Sequence, residues 1–384
     1  MSSTNPTKAE KIKSFDPSSP AGGDGIFGLP FTQDESDLVL VPVPWEVTVS
    51  YNPGTAAAPE AIREASKQVD LYEPLYPNAW HHGIFMQRPD KWIAKVSKEM
   101  RPLAVDYIEA FIDGKADKKS NQETLERINE AGLALREHLR KTTGELLRAG
   151  HIVGLVGGDH STPLGFIEAL GEQHKSFGIL QIDAHMDLRK AYEGFTYSHA
   201  SIMYNALQLP SVNALVQVGI RDFSDEEMMR IEELRADGKT IDVFYDARLK
   251  KRLYEGATWK QICDGIIDVL PEQVYISFDI DGLDPKLCPN TGTPVPGGLE
   301  FEQVVYLVDR LVERGIDIIG FDLNEVSPGK DEWDANVGAR MLYKLCSLAL
   351  RSRHQRPDRS VDEKDPVQHH RHQGVEMLDK ETAD

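Results

Sequence analysis

Cysteine is scarce: the chain has Cys263, Cys288 and Cys346 in 384 residues. An odd, widely spaced set excludes a disulfide framework and a cysteine-based zinc site. It fits reduced thiols packed inside a cytoplasmic protein. Positive charge is also short, with 43 Lys and Arg against 62 Asp and Glu and a formal net charge of −19. That balance argues against a nucleic-acid partner, whose phosphates need a basic face, and suits a small cationic ligand. No apolar run reaches the roughly 18 residues that read as a membrane span, so no membrane partner is expected. The N-terminal segment lacks the apolar stretch of a secretory signal.

What is present is a series of short apolar runs separated by helical patterns. Residues 38–43, 151–156, 177–180, 215–219, 241–245, 274–278 and 316–323 read as strands. Several are apolar throughout, as expected when both sheet faces are covered. Helices are expected from Pro59 and from Pro163, and over 103–111, 122–148, 224–236, 259–269, 302–314 and 335–351, with Gly150 capping the helix over 122–148. The alternation predicts an α/β fold with a parallel sheet and helices on both faces. Residues 80–92 read as irregular, with His81 and His82 on the surface. Residues 1–36 read as an N-terminal extension in which 26–30 is either a docking patch or part of a disordered leader. Residues 37–353 form the expected catalytic domain. Residues 354–384, with His369, His370 and His372, form a polar tail, disordered or at most an adventitious metal binder.

Chemistry gathers where strands end. The run 177–180 leads through Gln181-Ile182 into Asp183-Ala184-His185-Met186-Asp187. At spacing two in extended backbone, Asp183, His185 and Asp187 share a face. Convergent carboxylates repel unless a cation sits between them. Alone the motif also reads as a charged turn. Gly157-Gly158-Asp159-His160-Ser161 follows another strand; its glycines allow a sharp turn, and Asp159 or Ser161 is a candidate helix cap. Asp279 and Asp281 repeat the spacing of two after a third strand, and Glu325 follows a fourth. In an open parallel sheet such ends line one crevice. Two His and four Asp exceed the needs of one zinc and suit two ions sharing carboxylates. Imidazole with carboxylate fits Mn²⁺ best, with Ni²⁺, Co²⁺ or Fe²⁺ as alternatives.

These three motifs, with Ser277-Phe278-Asp279-Ile280-Asp281-Gly282-Leu283-Asp284-Pro285 as the third, resemble the signatures of the ureohydrolase (arginase/agmatinase) family over about residues 37–350. The resemblance implies a three-layer α/β/α fold with a parallel sheet of about eight strands, a binuclear manganese site and a homotrimer or homohexamer. It implies that His160 and Asp187 hold one metal, His185 and Asp281 the other, and that Asp183 and Asp279 bridge. The family's proton-shuttling histidine falls on His199 and its guanidinium-holding glutamate on Glu325. The implied reaction is hydrolysis of a guanidino C–N bond, releasing urea with ammonia or an amine.

The loop after Asp187, residues 188–197, lacks the Ser-Gly-Asn pattern by which arginases hold an amino-acid carboxylate, so the chain looks more like the agmatinase branch. It departs from that branch at Asn52-Pro53-Gly54-Thr55 and Cys288-Pro289-Asn290-Thr291-Gly292. An aromatic lid of Trp333, with Trp45, and Thr55 would shrink the pocket toward free guanidine, as in the similar nickel-dependent guanidine hydrolases. The expected substrate is guanidine or agmatine. Arginase, guanidinobutyrase and formimidoylglutamase activities are alternatives, as is a non-catalytic, metal-binding regulatory or assembly partner.

Overall fold

The structure is a computed structural model that describes residues 6–19 and 22–355. Eight strands form one sheet: β1 (Leu38–Val43), β2 (Ile84–Met86), β3 (Ile152–Gly157), β4 (Phe177–Ile182), β5 (Val212–Ile220), β6 (Thr240–Tyr245), β7 (Gln273–Asp279) and β8 (Asp317–Asn324). Their order is β2-β1-β3-β8-β7-β4-β5-β6. Every pairing is parallel. The helices are α1 (Lys8–Ser14), α2 (Ala58–Ala65), α3 (Lys91–Ile112), α4 (Lys119–Arg148), α5 (Leu164–Gln173), α6 (Ile202–Leu207), α7 (Asp225–Ala236), α8 (Asp246–Tyr254), α9 (Trp259–Ile267), α10 (Phe301–Glu313) and α11 (Trp333–His354).

Two apolar cores explain the continuously apolar strands. On β1, Leu38 and Leu40 face one core, which takes Ile62 of α2, Ile266 of α9, Leu307 of α10 and Leu342 of α11. Val39, Val41 and Val43 face the other, built with Ile93 of α3, Leu135 of α4, Ile167 of α5 and Ile231 of α7. Alternate side chains of one strand thus serve opposite layers, giving the expected α/β/α sandwich.

Four local readings need correction. Residues 84–86 are an edge strand, not irregular chain. Helix α3 begins at Lys91 and runs through Pro102, where the sequence pattern suggests a start after it. Helix α8 was not anticipated; its sequence, DARLKKRLY, is mostly charged and polar, and it buries only Asp246 and Leu249. The N-terminal extension is not separate from the domain: Ile26, Phe27, Leu29 and Phe31 are buried in the first core, and Phe27 packs edge-on against Tyr343 at 4.9 Å. The docking reading of residues 26–30 is therefore the one that fits. The tail histidines 369, 370 and 372 lie outside the described residues. All three cysteines are buried and unpaired. Among the described residues no helix is long and apolar enough to cross a membrane.

Candidate metal centre

The four central strands, β3, β8, β7 and β4, bring their carboxyl ends together. After β3 the chain turns through Gly157 and Gly158. A Cβ on Gly158 would sit 2.0 Å from the Trp45 carbonyl, and one on Gly157 1.8 Å from Asn324 Oδ1, so only glycine lets this turn press against β1 and β8. It delivers His160. Asp159 is not the cap of α5, whose N-cap position is Pro163; its carboxylate accepts from the Ser161 amide instead, at 3.0 Å.

Past β4, Asp183, His185 and Asp187 follow, and Asp187 sits at φ 55°. Past β7, Asp281 lies in a short 3₁₀ turn, residues Ile280–Gly282, so this pair converges through a tight turn and not through extended strand. Asp279 Oδ1 accepts from the Asp281 amide at 2.8 Å, and Asp281 Oδ1 from the Ala184 amide at 3.0 Å. These bonds stitch the two loops together.

The result is two linked clusters. Nδ1 of His160 lies 3.1 Å from Asp183 Oδ2, 3.0 Å from Asp187 Oδ2 and 3.3 Å from Asp279 Oδ2. Nδ1 of His185 lies 3.5 Å from Asp183 Oδ1 and 3.0 Å from Asp281 Oδ2. Asp183 thus turns one oxygen to each imidazole, the geometry of a bridging carboxylate.

The donor set fits metal ions. Nδ1 of His160 is buried and makes no hydrogen bond despite its three carboxylate neighbours. Spacings near 3 Å between ligand atoms suit an ion about 2.0–2.2 Å from each. The electrostatics agree. Burial, with Asp281 and Asp183 adding to it, pushes Asp279 well above the ordinary carboxylate range. Burial and the nearby Asp183 push Asp187 up to about 7. Burial opposes charge on His160, yet the carboxylates of Asp183, Asp187 and Asp279 outweigh it and raise the imidazole well above its usual range. The cluster thus favours added positive charge among its carboxylates, which a bound metal would supply.

A buried chain of hydrogen bonds aims His160. Its Nε2 is 2.9 Å from Ser277 Oγ, which donates to Asp322 Oδ2 at 2.9 Å. Asp322 also accepts from the Phe278 amide at 3.0 Å and from Asn324 Nδ2 at 2.6 Å. With Nε2 engaged, Nδ1 keeps its lone pair for the cluster. Gln181 does the same for Asp183, donating to Oδ2 at 2.7 Å while Gln217 fixes Gln181 at 2.6 Å. Asp322→Asn is expected to weaken metal retention about 10- to 100-fold, read by competition against a chelator; unchanged retention would discount the chain's aiming role.

The same cavity, of about 150 Å³, is lined by His160, His185, Asp187, Asp279, His199 and Glu325. Burial, then the nearby His185 and His160 imidazoles, hold His199 down at about 3. Its Nδ1 has no hydrogen-bond partner. Glu325 stands at φ 61°, fixed by its amide donating to the Gly158 carbonyl at 2.9 Å and by Thr291 Oγ1 donating to its own carbonyl at 2.8 Å. Its Oε1 accepts from the His160 amide at 2.8 Å. Burial, and then Asp159, raise its carboxyl well above the ordinary range.

Two expected pocket residues are elsewhere. Trp333 does not line the cavity; it opens α11 at the surface, 48% exposed, with its indole N–H donating to the Lys286 carbonyl at 3.1 Å. Thr55 is fully buried beside the cavity loop and likewise does not line it. Trp45 is core. The rim is instead formed by Tyr192, Phe223, Arg189 and Asp222. Residues that sequence reading passed over include Ser277, Asp322 and Gln181, polar residues inside apolar strands, and Arg221, whose guanidinium holds the carbonyls of Asp281, Leu283 and Val295.

A model of the Arginase family matches residues 36–347. N(1)-aminopropylagmatine ureohydrolase of Thermus thermophilus is 32% identical over 325 residues, covering 84% of this chain and 94% of its own length. An agmatinase of Bacillus subtilis is 26% identical, covering 81% of this chain and 91% of its own. The crystal structure of agmatine ureohydrolase of Thermoplasma volcanium superposes with a TM-score of 0.65 at 22% identity, over 90% of this chain and 99% of that one. With its paired His–Asp clusters at the carboxyl edge of an eight-stranded parallel sheet, the chain belongs to the arginase family.

Proposed function

We propose that this protein hydrolyses a small guanidino cation and releases urea. One observation carries the reading: His160, Asp187 and Asp279 of one cluster, His185 of the other, Glu325 and His199 line one small polar cavity. His160, Asp183 and Asp187, with Asp279, would hold one divalent ion, and His185, Asp183 and Asp281 the other. Asp279 is the second proposed bridge. Manganese is the preferred metal and nickel the alternative. Ions so held lower the pKa of water toward neutrality and so provide a nucleophile.

The chain's own residues do the rest. Glu325 receives the guanidinium through charge-assisted, paired hydrogen bonds, and the arriving cation offsets the burial that otherwise disfavours the charged carboxylate. The left-handed backbone at Glu325 fixes the approach of the carboxylate. His199, neutral and with a ring nitrogen that has no hydrogen-bond partner, would take a proton from the attacking water and pass it to the departing nitrogen. Assembly as a homotrimer or homohexamer belongs to the same proposal and rests on family membership.

Guanidine is the favoured substrate, with agmatine second. Size selection falls to Tyr192 and Phe223, since Trp333 and Thr55 are not at the cavity. Arg189, stacked over the Tyr192 ring at 4.7 Å, sets a positive charge at the rim that disfavours a second cationic group. One observation favours a longer substrate: the Asp222 side chain, 69% exposed at the same rim, offers an anchor for a distant amine, and the relatives from Thermus thermophilus and Bacillus subtilis are named for aminopropylagmatine and agmatine. Urea release from guanidine, agmatine, N(1)-aminopropylagmatine and arginine, with Mn²⁺- and Ni²⁺-loaded protein, separates these. The highest kcat/KM is expected for guanidine. A value roughly tenfold or more higher for a polyamine substrate, about 1.4 kcal/mol of preference, overturns the small-substrate reading. No urea from any of them favours the non-catalytic reading.

A further inference from the structure

A second cluster lies at the opposite edge of the sheet, where strands begin. Asp37 immediately precedes β1, His82 lies in the turn before β2, and His354 is the last residue of α11. Asp37 Oδ2 is 3.3 Å from Nδ1 of His82 and 3.0 Å from Nε2 of His354. One ligand atom from each residue lies within 4.8 Å of the others. The two imidazoles stack at 4.0 Å with planes 19° apart. His82 is therefore not the unengaged surface residue expected above.

We propose that Asp37, His82 and His354 bind one late first-row divalent cation, such as zinc, and that this ion clamps the first two strands and the last helix together. Two imidazoles and a carboxylate are ligands such ions favour, and the nitrogen-to-oxygen spacings suit an ion about 2.0–2.2 Å from each. The second nitrogen of His82 is 2.6 Å from Tyr76 Oη, so a neighbour fixes the ring with Nδ1 toward Asp37. Lys8 Nζ is the nearby cation. It lies 3.6 Å from the other carboxylate oxygen, Oδ1, and donates to the His82 carbonyl at 2.8 Å, leaving Oδ2 to the imidazoles. Burial and then His354 hold His82 below the usual histidine range, which keeps its lone pair available. The three side chains are between a quarter and two-fifths exposed, so water can complete the coordination.

The test uses the full chain, with His369→Ala, His370→Ala and His372→Ala introduced to remove competing tail ligands. Crystals grown with zinc are measured at the zinc edge, and dialysed protein is assayed for bound zinc. An anomalous peak between Asp37, His82 and His354, and loss of one zinc equivalent per chain in both His82→Gln and His354→Gln with urea release within about twofold, support the site. Absence of that peak, or a zinc count unmoved by either substitution, overturns it. The crystallographic arm needs neither glutamine variant to fold.

Discussion

Asp183→Asn is expected to lower urea release about 10³-fold, near 4 kcal/mol of lost stabilisation, and to leave the protein short of metal. Asp183 is completely buried. Its Oδ2 accepts from Gln181 Nε2 at 2.7 Å and faces His160, while its Oδ1 accepts from the His185 amide at 2.6 Å and faces His185. An asparagine must put an NH₂ group on one side or the other. Either choice sets donor against donor and withdraws an oxygen from one cluster. Metal content by elemental analysis, alongside kcat, checks this. Two ions retained with activity within tenfold of the parent would remove Asp183 from the bridging role.

Glu325→Gln is expected to reduce kcat/KM by about 10²- to 10³-fold, the cost of removing one partner from a buried charge pair, while metal content and fold persist. The amide oxygen can still accept from the His160 amide, as Oε1 does now at 2.8 Å. What disappears is the second acceptor and the negative charge, the features a guanidinium needs. Steady-state kinetics on guanidine and agmatine, paired with a metal assay, read both halves. An unchanged kcat/KM with full metal content would mean that another group holds the substrate.

Seven of the eight strands could be read from the sequence because β1, β3, β4, β5, β6, β7 and β8 present sustained or alternating apolar runs. The eighth, β2, has three residues at the sheet edge, too short for any period to show. Pro102 disguised α3, since proline in an interior turn ordinarily breaks a helix. The proposed metal-ligating positions were legible because they sit at strand ends in doublets and triplets of acid and imidazole. Ser277 and Asp322 were not: they lie within β7 and β8, among apolar neighbours, and only the pairing Ser277↔Asp322 reveals their link to His160. The pocket rim was misjudged for a related reason. Closeness in sequence to Glu325 suggested Trp333, yet the turn of chain between them carries its ring away to the Lys286 carbonyl. The Asp37–His82–His354 group joins residues whose proximity no local pattern encodes.

The strand order carries a consequence for biosynthesis. β3 and β4 are consecutive in the chain, but β8 and β7 lie between them in the sheet. At about 4.8 Å per strand, β3 and β4 themselves run roughly 14 Å apart in the sheet, and β8 and β7 fill the space between them. A ribosome-bound chain that has emerged as far as Leu270 holds four of the six proposed ligands, His160, Asp183, His185 and Asp187, but neither β7 nor β8. A complete centre therefore waits for both strands, and a message cut short before β8 yields a product without Glu325 and without the middle of the sheet.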